Sequence, residues 1–314
     1  MKYKIIRRED GKVAVFDENG KMITPGWYEW IDREGLFGKG RYFKVMYGDE
    51  WAIFDKDGNQ ISPDWFDKVW EDGLLREESN YYLATKYGKD AIFDKDGNRI
   101  SEWYDRIWED GLVKGESDYY LVKELVNDDY EQYAIFDKDG NRITKEWYDW
   151  ISVEGLVKGK SPYYLARKNG KDAIFDKDGH MITPQWFDDI EIDGLVKGQS
   201  KYYKVYENGK YTIFDIDGNQ ILDWSNEIYS DGLLRGLTDY FIACNGNTCA
   251  VYHKDGQKVS EDFSIEHMDR VYKINFNDRL GIVEIQKFDK TTQAIEFNPV
   301  RREEFLDYTK LLNI

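Results

Sequence analysis

Proline, histidine and cysteine are all scarce in this 314-residue chain, at five, three and two residues. The three histidines, His180, His253 and His267, share no local motif, so they supply neither a metal phrase nor a catalytic pair. The two cysteines, Cys244 and Cys249, flank Asn245-Gly246-Asn247-Thr248. Asn-Gly is a hairpin turn, which sets the thiols facing each other across two strands. They are too few for a zinc site without a histidine beside them. The sequence reads them as two small semi-buried residues ahead of a structural disulfide.

Long hydrophobic runs are missing as well. Met1 to Lys12, MKYKIIRREDGK, holds no apolar stretch with which a secretory leader or a membrane span would start, and no later stretch supplies one. The expectation is a soluble, cytoplasmic protein with no membrane contact. Basic residues are the minority, 44 Lys and Arg against 61 Asp and Glu, for a formal charge of -17. A phosphate backbone requires a basic face, so direct nucleic-acid binding is not expected. The excess of carboxylate serves solubility, and in a sharper reading attracts a basic partner. No Gly-rich phosphate loop, nucleophile elbow or His-rich metal phrase occurs, and acids are too common here for any carboxylate pair to signal glycoside hydrolysis. The chain is expected to be no enzyme and to hold no cofactor.

What the chain does have is a repeat. The phrase Ala91-Ile92-Phe93-Asp94-Lys95-Asp96-Gly97-Asn98 recurs with small changes, and its third apolar residue falls at Phe16, Phe54, Phe93, Phe136, Phe175, Phe214 and Tyr252. Successive copies are therefore 38, 39, 43, 39, 39 and 38 residues apart. A period near forty points to a propeller, a solenoid or an array. Each copy reads as a strand entering a tight turn, with Asp and Asn bonding back to local backbone and Gly at the position of positive φ. The 11 Trp and 24 Tyr suit many short strands packed through rings.

After the turn comes a Trp-aromatic-acid corner: Trp65-Phe66-Asp67, Trp103-Tyr104-Asp105, Trp147-Tyr148-Asp149 and Trp186-Phe187-Asp188, preceded by Trp27-Tyr28-Glu29. An acid-Gly-Leu step, as in Asp110-Gly111-Leu112, then leads into another short strand, and a Tyr-Tyr strand such as Tyr81-Tyr82-Leu83-Ala84 opens the following hairpin. These strands lack apolar-polar alternation, so both of their faces are buried. Blades packed between blades satisfy that for every unit. The predicted fold is all-β, a seven-bladed propeller-like array, with an open solenoid of stacked meanders as the alternative. Residues 1–258 hold six units and the start of a seventh, 259–298 an irregular β segment that caps the array, and 299–314, opened by Pro299, a C-terminal helix.

The order Tyr-Tyr, Gly-Lys, Ala-Ile-Phe-Asp-Lys-Asp-Gly, Ile-Ser/Thr-Pro, Trp-Tyr-Asp-x-Ile and acid-Gly-Leu-Val resembles the bacterial WG, or KWG, β-repeat family over about residues 1–275. The name-giving pair itself is replaced by Asp-Ala, as at Asp90-Ala91, and Trp51-Ala52 is its nearest approach. The resemblance implies an interaction module and carries over no catalytic residue. A weaker likeness links the aromatic hairpins to choline-binding cell-wall repeats, which are shorter and belong to secreted proteins.

Asp94-Lys95-Asp96-Gly97-Asn98 also resembles the start of a calcium loop. A helix-loop-helix site would need Gly where Arg99 stands, and its closing acid falls on Asp105 in this unit but on Phe66 and Tyr148 in the neighbours. A hairpin turn accounts for it better, with a looser calcium site between repeats left open. The functional expectation is a protein-binding scaffold whose acidic, aromatic face is built from Trp27, Trp65, Trp103, Trp147 and Trp186 with Asp67, Asp105, Asp149 and Asp188. A basic nucleic-acid enzyme, blocked by acids standing in for phosphates, is its sharper form. The alternative is a carbohydrate module whose exposed Trp and Tyr stack on sugar rings.

Overall fold

The structure is a computed structural model that describes residues 3–38, 40–127, 130–237, 239–258, 262–264, 272–277, 282–289 and 294–301. It divides into two compact units, Met1–Gly159 and Lys160–Ile314. Both are built from short antiparallel sheets, so the all-β tandem array is as expected, each sheet an up-and-down blade.

One repeat of the first unit shows the construction. Lys68–Val69 pairs with Tyr81–Lys86, which pairs with Lys89–Asp94. The same three-strand order recurs at Trp30–Ile31, Tyr42–Tyr47 and Glu50–Asp55, and at Arg106–Ile107, Tyr119–Asn127 and Tyr130–Asp137. Tyr82 lies directly opposite Phe93, and their rings stack at 5.4 Å and 13°. Tyr120 on Phe136 repeats this at 5.7 Å and 16°. In the second unit Tyr164 on Phe175, Tyr203 on Phe214 and Phe241 on Tyr252 do the same. The second Tyr of each Tyr-Tyr strand is therefore the buried half of a cross-strand pair.

Neighbouring sheets share a strand. Tyr104 exchanges both backbone bonds with Asp90 of the preceding hairpin, and two residues later Arg106–Ile107 pairs with the next sheet. Close backbone approaches lock the same seam. Gly97, at φ +83°, faces the Ile61 carbonyl, and a Cβ there would lie 2.5 Å from that oxygen. The hairpin glycine thus serves the turn and the repeat contact together. Ser79 donates its hydroxyl to the Val113 carbonyl at 2.6 Å, and Ser117 reaches Val157 at 2.5 Å.

Three details differ from the sequence reading. The acid-Gly-Leu step makes a helical turn, Gly73–Arg76, instead of a strand, because Gly73 adopts φ +79° against the Tyr81 carbonyl. Pro299 does not open a helix. It lies in the strand Ala294–Arg301, opposite Glu284, at the edge of a three-stranded sheet with Ile282–Asp289 and Tyr272–Asn277. An edge strand tolerates a residue with no N–H to donate. Residues 302–314, the remainder of the expected helix, lie outside the described residues.

Cys244 and Cys249 are the third. They sit directly opposite each other, because the hairpin loop is Gly246-Asn247 with Asn245 paired to Thr248, and are joined in a disulfide. Both are buried beside Ile242 and Val251.

Candidate protein-binding edge

The Trp-aromatic-acid corners hold the far end of each hairpin. Their aromatic residue is bridged to the preceding sheet, which leaves the flanking Trp and acid on either side of it. Trp103 packs between Phe66 and Phe93, at 6.3 and 5.9 Å, and Trp147 between Tyr104 and Phe136, at 6.3 and 6.4 Å. Trp65 meets Tyr28 and Tyr47, Trp27 meets Phe16, and in the second unit Trp186 meets Phe175. All five indoles are half-buried. Trp65, Trp103 and Trp147 join one repeat to the next.

The acids of the same corners are engaged with backbone. Asp67 accepts the amide of Tyr87 at 2.6 Å, Asp105 that of Leu125 at 2.7 Å, and Asp188 that of Asn208 at 2.9 Å. Glu29 does this for Gly48 and Asn226 for Gly246. Asp149 accepts the Tyr130 hydroxyl at 2.9 Å. Lys89 bridges Asp105 and Glu124 at 3.2 and 3.4 Å, and Lys171 bridges Asp188 and Glu207 at 3.0 and 2.9 Å. Burial raises the Asp105 carboxyl, but the Leu125 amide and the Lys89 ammonium outweigh it and hold it below the usual carboxylate range. For Asp188 the Asn208 amide and then Lys171 act in the same direction.

The sequence-predicted acids are thus brought to the hairpin tips, whereas Trp103, Trp147 and Trp186 pack on Phe93, Phe136 and Phe175, beside the Asp-Gly turns at the other end of the strands. The tips carry the exposed groups. Asn169-Gly170 and Asn208-Gly209 are two-residue turns with Asn at φ +51°, a conformation Asn tolerates. Tyr87 occupies the matching place at φ +53°, and its side chain is 87% exposed. Lys86 lies 5.6 Å from the Tyr87 ring centre and pairs with Asp64. On the next tip the 43-residue period lengthens the hairpin to Tyr119–Asn127 and Tyr130–Asp137, and Leu125, Val126 and Tyr130 stand exposed. Sequence reasoning passed over these residues, although two signals mark them. One is a bulky residue before Gly88 where the copies at Gly170 and Gly209 have Asn, and the other is the single long period.

The turn acids are accounted for by the turns. Asp94 accepts the amides of Asp96 and Asn98 and the side-chain amide of Asn98. Asp176, Asp178 and His180 bring ligand-type atoms within 4.8 Å of one another, with Asp176 engaged by the amides of Asp178 and His180. Among the described residues, no helix is long and apolar enough to cross a membrane.

No family model matches the chain, and no curated protein matches it. Among solved structures it is similar to a eukaryotic initiation factor at 11% identity and a TM-score of 0.39, covering 93% of this chain and 84% of that one. It is similar to Hsv2 of Kluyveromyces lactis at 11% identity and 0.29, covering 95% and 97%, and to the AfRom2 CNH domain at 8% and 0.28, covering 80% and 88%. Likenesses this distant carry no argument about what the chain binds.

Proposed function

We propose that the chain is a non-enzymatic protein-binding scaffold of the WG-repeat type, and that its contact edge is the row of hairpin tips in the first unit, Tyr87, Leu125, Val126 and Tyr130. The observation that carries this is Tyr87. A left-handed backbone costs a bulky residue about 1–2 kcal/mol, and Asn at the corresponding tips avoids most of that cost. An aromatic side chain there, 87% exposed with only Lys86 near its ring at 5.6 Å, gains little packing to offset the strain. Exposed aromatic and aliphatic side chains on a rigid base are what a protein partner anchors on.

Charge sets the partner's character. Asp64, Asp67, Asp105 and Glu124 at these tips outnumber Lys86 and Lys89, which pair with three of them, in a chain of formal charge -17, and this favours a basic protein whose arginines stack on Tyr87. A basic nucleic-acid enzyme fits, its phosphate sites taken by carboxylates, and the scaffold would then act as an inhibitor. The test compares wild type with Tyr87→Asn, which relieves the strain, as bait against lysate at low and high salt. The reading expects a basic protein retained by wild type, weakened by salt and lost with Tyr87→Asn. Equal retention by both baits would refute it.

A further inference from the structure

We propose that Asn169 and Asn208, at two hairpin tips of the second unit, are sites of spontaneous deamidation, and that Asn19 and Asn245 are shielded from it. Asn-Gly occurs at four places in the chain, Asn19-Gly20, Asn169-Gly170, Asn208-Gly209 and Asn245-Gly246. The reaction needs only water. The backbone nitrogen of the glycine attacks the Asn Cγ and forms a C–N bond, the glycine proton and the side-chain amide nitrogen leave together as ammonia, and water opens the resulting succinimide to aspartate or isoaspartate. Glycine in second place favours the attack because no Cβ obstructs it.

Exposure does not separate the four pairs. Each Asn and each Gly among them is exposed, and a Cβ built on any of the four glycines would meet nothing within 4 Å. The attacking amide does separate them. Gly20 donates its N–H to the Asp17 carbonyl at 3.2 Å, and Gly246 donates its own to the Asn226 side-chain oxygen at 3.0 Å. The Asn245 side-chain oxygen in turn accepts the Asn226 amide at 3.3 Å, so both reacting groups are held there. The amides of Gly170 and Gly209 have no hydrogen-bond partner among the described residues. An amide held in a bond must be released before it can lose its proton and attack, as in hydrogen exchange.

Strand register produces the difference. Asn169-Gly170 and Asn208-Gly209 are themselves the two-residue loops that follow the pairs Lys168 with Lys171 and Glu207 with Lys210, so the glycine nitrogen lies outside the ladder. Asn245 is instead paired with Thr248, which moves Gly246 into reach of the corner residue Asn226. At Asn208 the product stands beside like charge. The Asn208 amide donates to Asp188 at 2.9 Å, Glu207 precedes it, and Lys171 is the cation that bridges those two acids. A further carboxylate, or the extra backbone methylene of isoaspartate, therefore loosens that clasp.

These positions lie outside the edge proposed above, so either reading can fail alone. The experiment incubates the intact protein in mildly alkaline buffer, with and without urea, and follows amide-to-acid conversion at each asparagine by peptide mass mapping. In the native protein Asn169 and Asn208 should convert about fivefold faster or more than Asn19 and Asn245, the factor expected when one hydrogen bond must break first. Urea should bring the four rates together. Asn226→Ala, which frees the Gly246 amide, should raise native conversion at Asn245 and leave that at Asn19 and Asn208 as it was. Equal native rates at the four positions, a native order that persists in urea, or an Asn245 rate indifferent to Asn226→Ala would each overturn the proposal.

Discussion

Asp67 and Tyr87 stand at opposite ends of one device: the Asp67 carboxylate accepts the Tyr87 amide at 2.6 Å and holds the hairpin tip at a backbone angle the side chain disfavours. Removing the acceptor in Asp67→Ala should speed hydrogen exchange at the Tyr87 amide, at a cost of about 1 kcal/mol for the lost bond. Asp67→Asn keeps an acceptor oxygen, as Asn226 does for Gly246, and should leave exchange close to wild type.

Tyr87→Asn should stabilise the protein. Asn169 and Asn208 hold the same turn at φ +51°, so the change relieves strain worth about 1 kcal/mol. A urea melt with a higher midpoint and unchanged slope is the expected outcome, and a lower midpoint would show that the exposed ring contributes to folding.

The cross-strand rings give a sharp contrast at one position. Tyr82 is fully buried, its hydroxyl has no hydrogen-bond partner, and burial pushes its pKa up. Tyr82→Phe should be neutral or stabilising by up to about 1 kcal/mol, since Phe43 and Phe241 occupy the same place in other repeats. Tyr82→Ala should cost about 3–5 kcal/mol through the cavity it leaves. Paired thermal melts decide between them.

Gly111 is held from two sides. It adopts φ +82°, and a Cβ there would lie 2.3 Å from the Tyr119 carbonyl and 2.7 Å from that of Val157. Gly111→Ala should therefore destabilise the first unit by about 3 kcal/mol or more, because backbone and not a flexible side chain must move.

Acid should loosen the tips. The Asp105 and Asp188 carboxyls are held below their usual range in the folded chain, so the stability they add is present above about pH 4 and is lost as pH falls through their folded values. Asp188→Asn keeps the bond to Asn208 without a titrating group. Its melting temperature should fall less than that of wild type between pH 6 and pH 3. Asp90 runs the other way: burial raises its carboxyl despite the Thr85 hydroxyl and the Ile107 amide, so acidification relieves its cost.

Much of the fold was legible because the repeat states each strand several times over, and seven copies of the hairpin phrase average out the ambiguity of any one. The corner tryptophans and acids were recognised as a set, but their work was not. That Asp67 would reach an amide twenty residues away depends on where the next hairpin folds back, and no local pattern encodes it. The serine clasp from Ser79 to Val113 was missed for the same reason. The expectation of a reducing compartment argues against the disulfide, and the register that brings Cys244 opposite Cys249 comes from a Gly246-Asn247 loop, whereas an Asn245-Gly246 turn would pair Cys244 with Asn247. Pro299 reads as a helix start because proline suits that position as well as it suits an edge strand, and sequence alone does not separate the two.

The most direct test of the protein-binding edge is a photo-reactive amino acid placed at Tyr87 in the first unit and, as a matched control, at Asn169 in the second, each followed by crosslinking in lysate at low salt. The account predicts a defined basic protein captured from position 87 and absent from position 169. The same captures from both positions, or none from position 87, would contradict it.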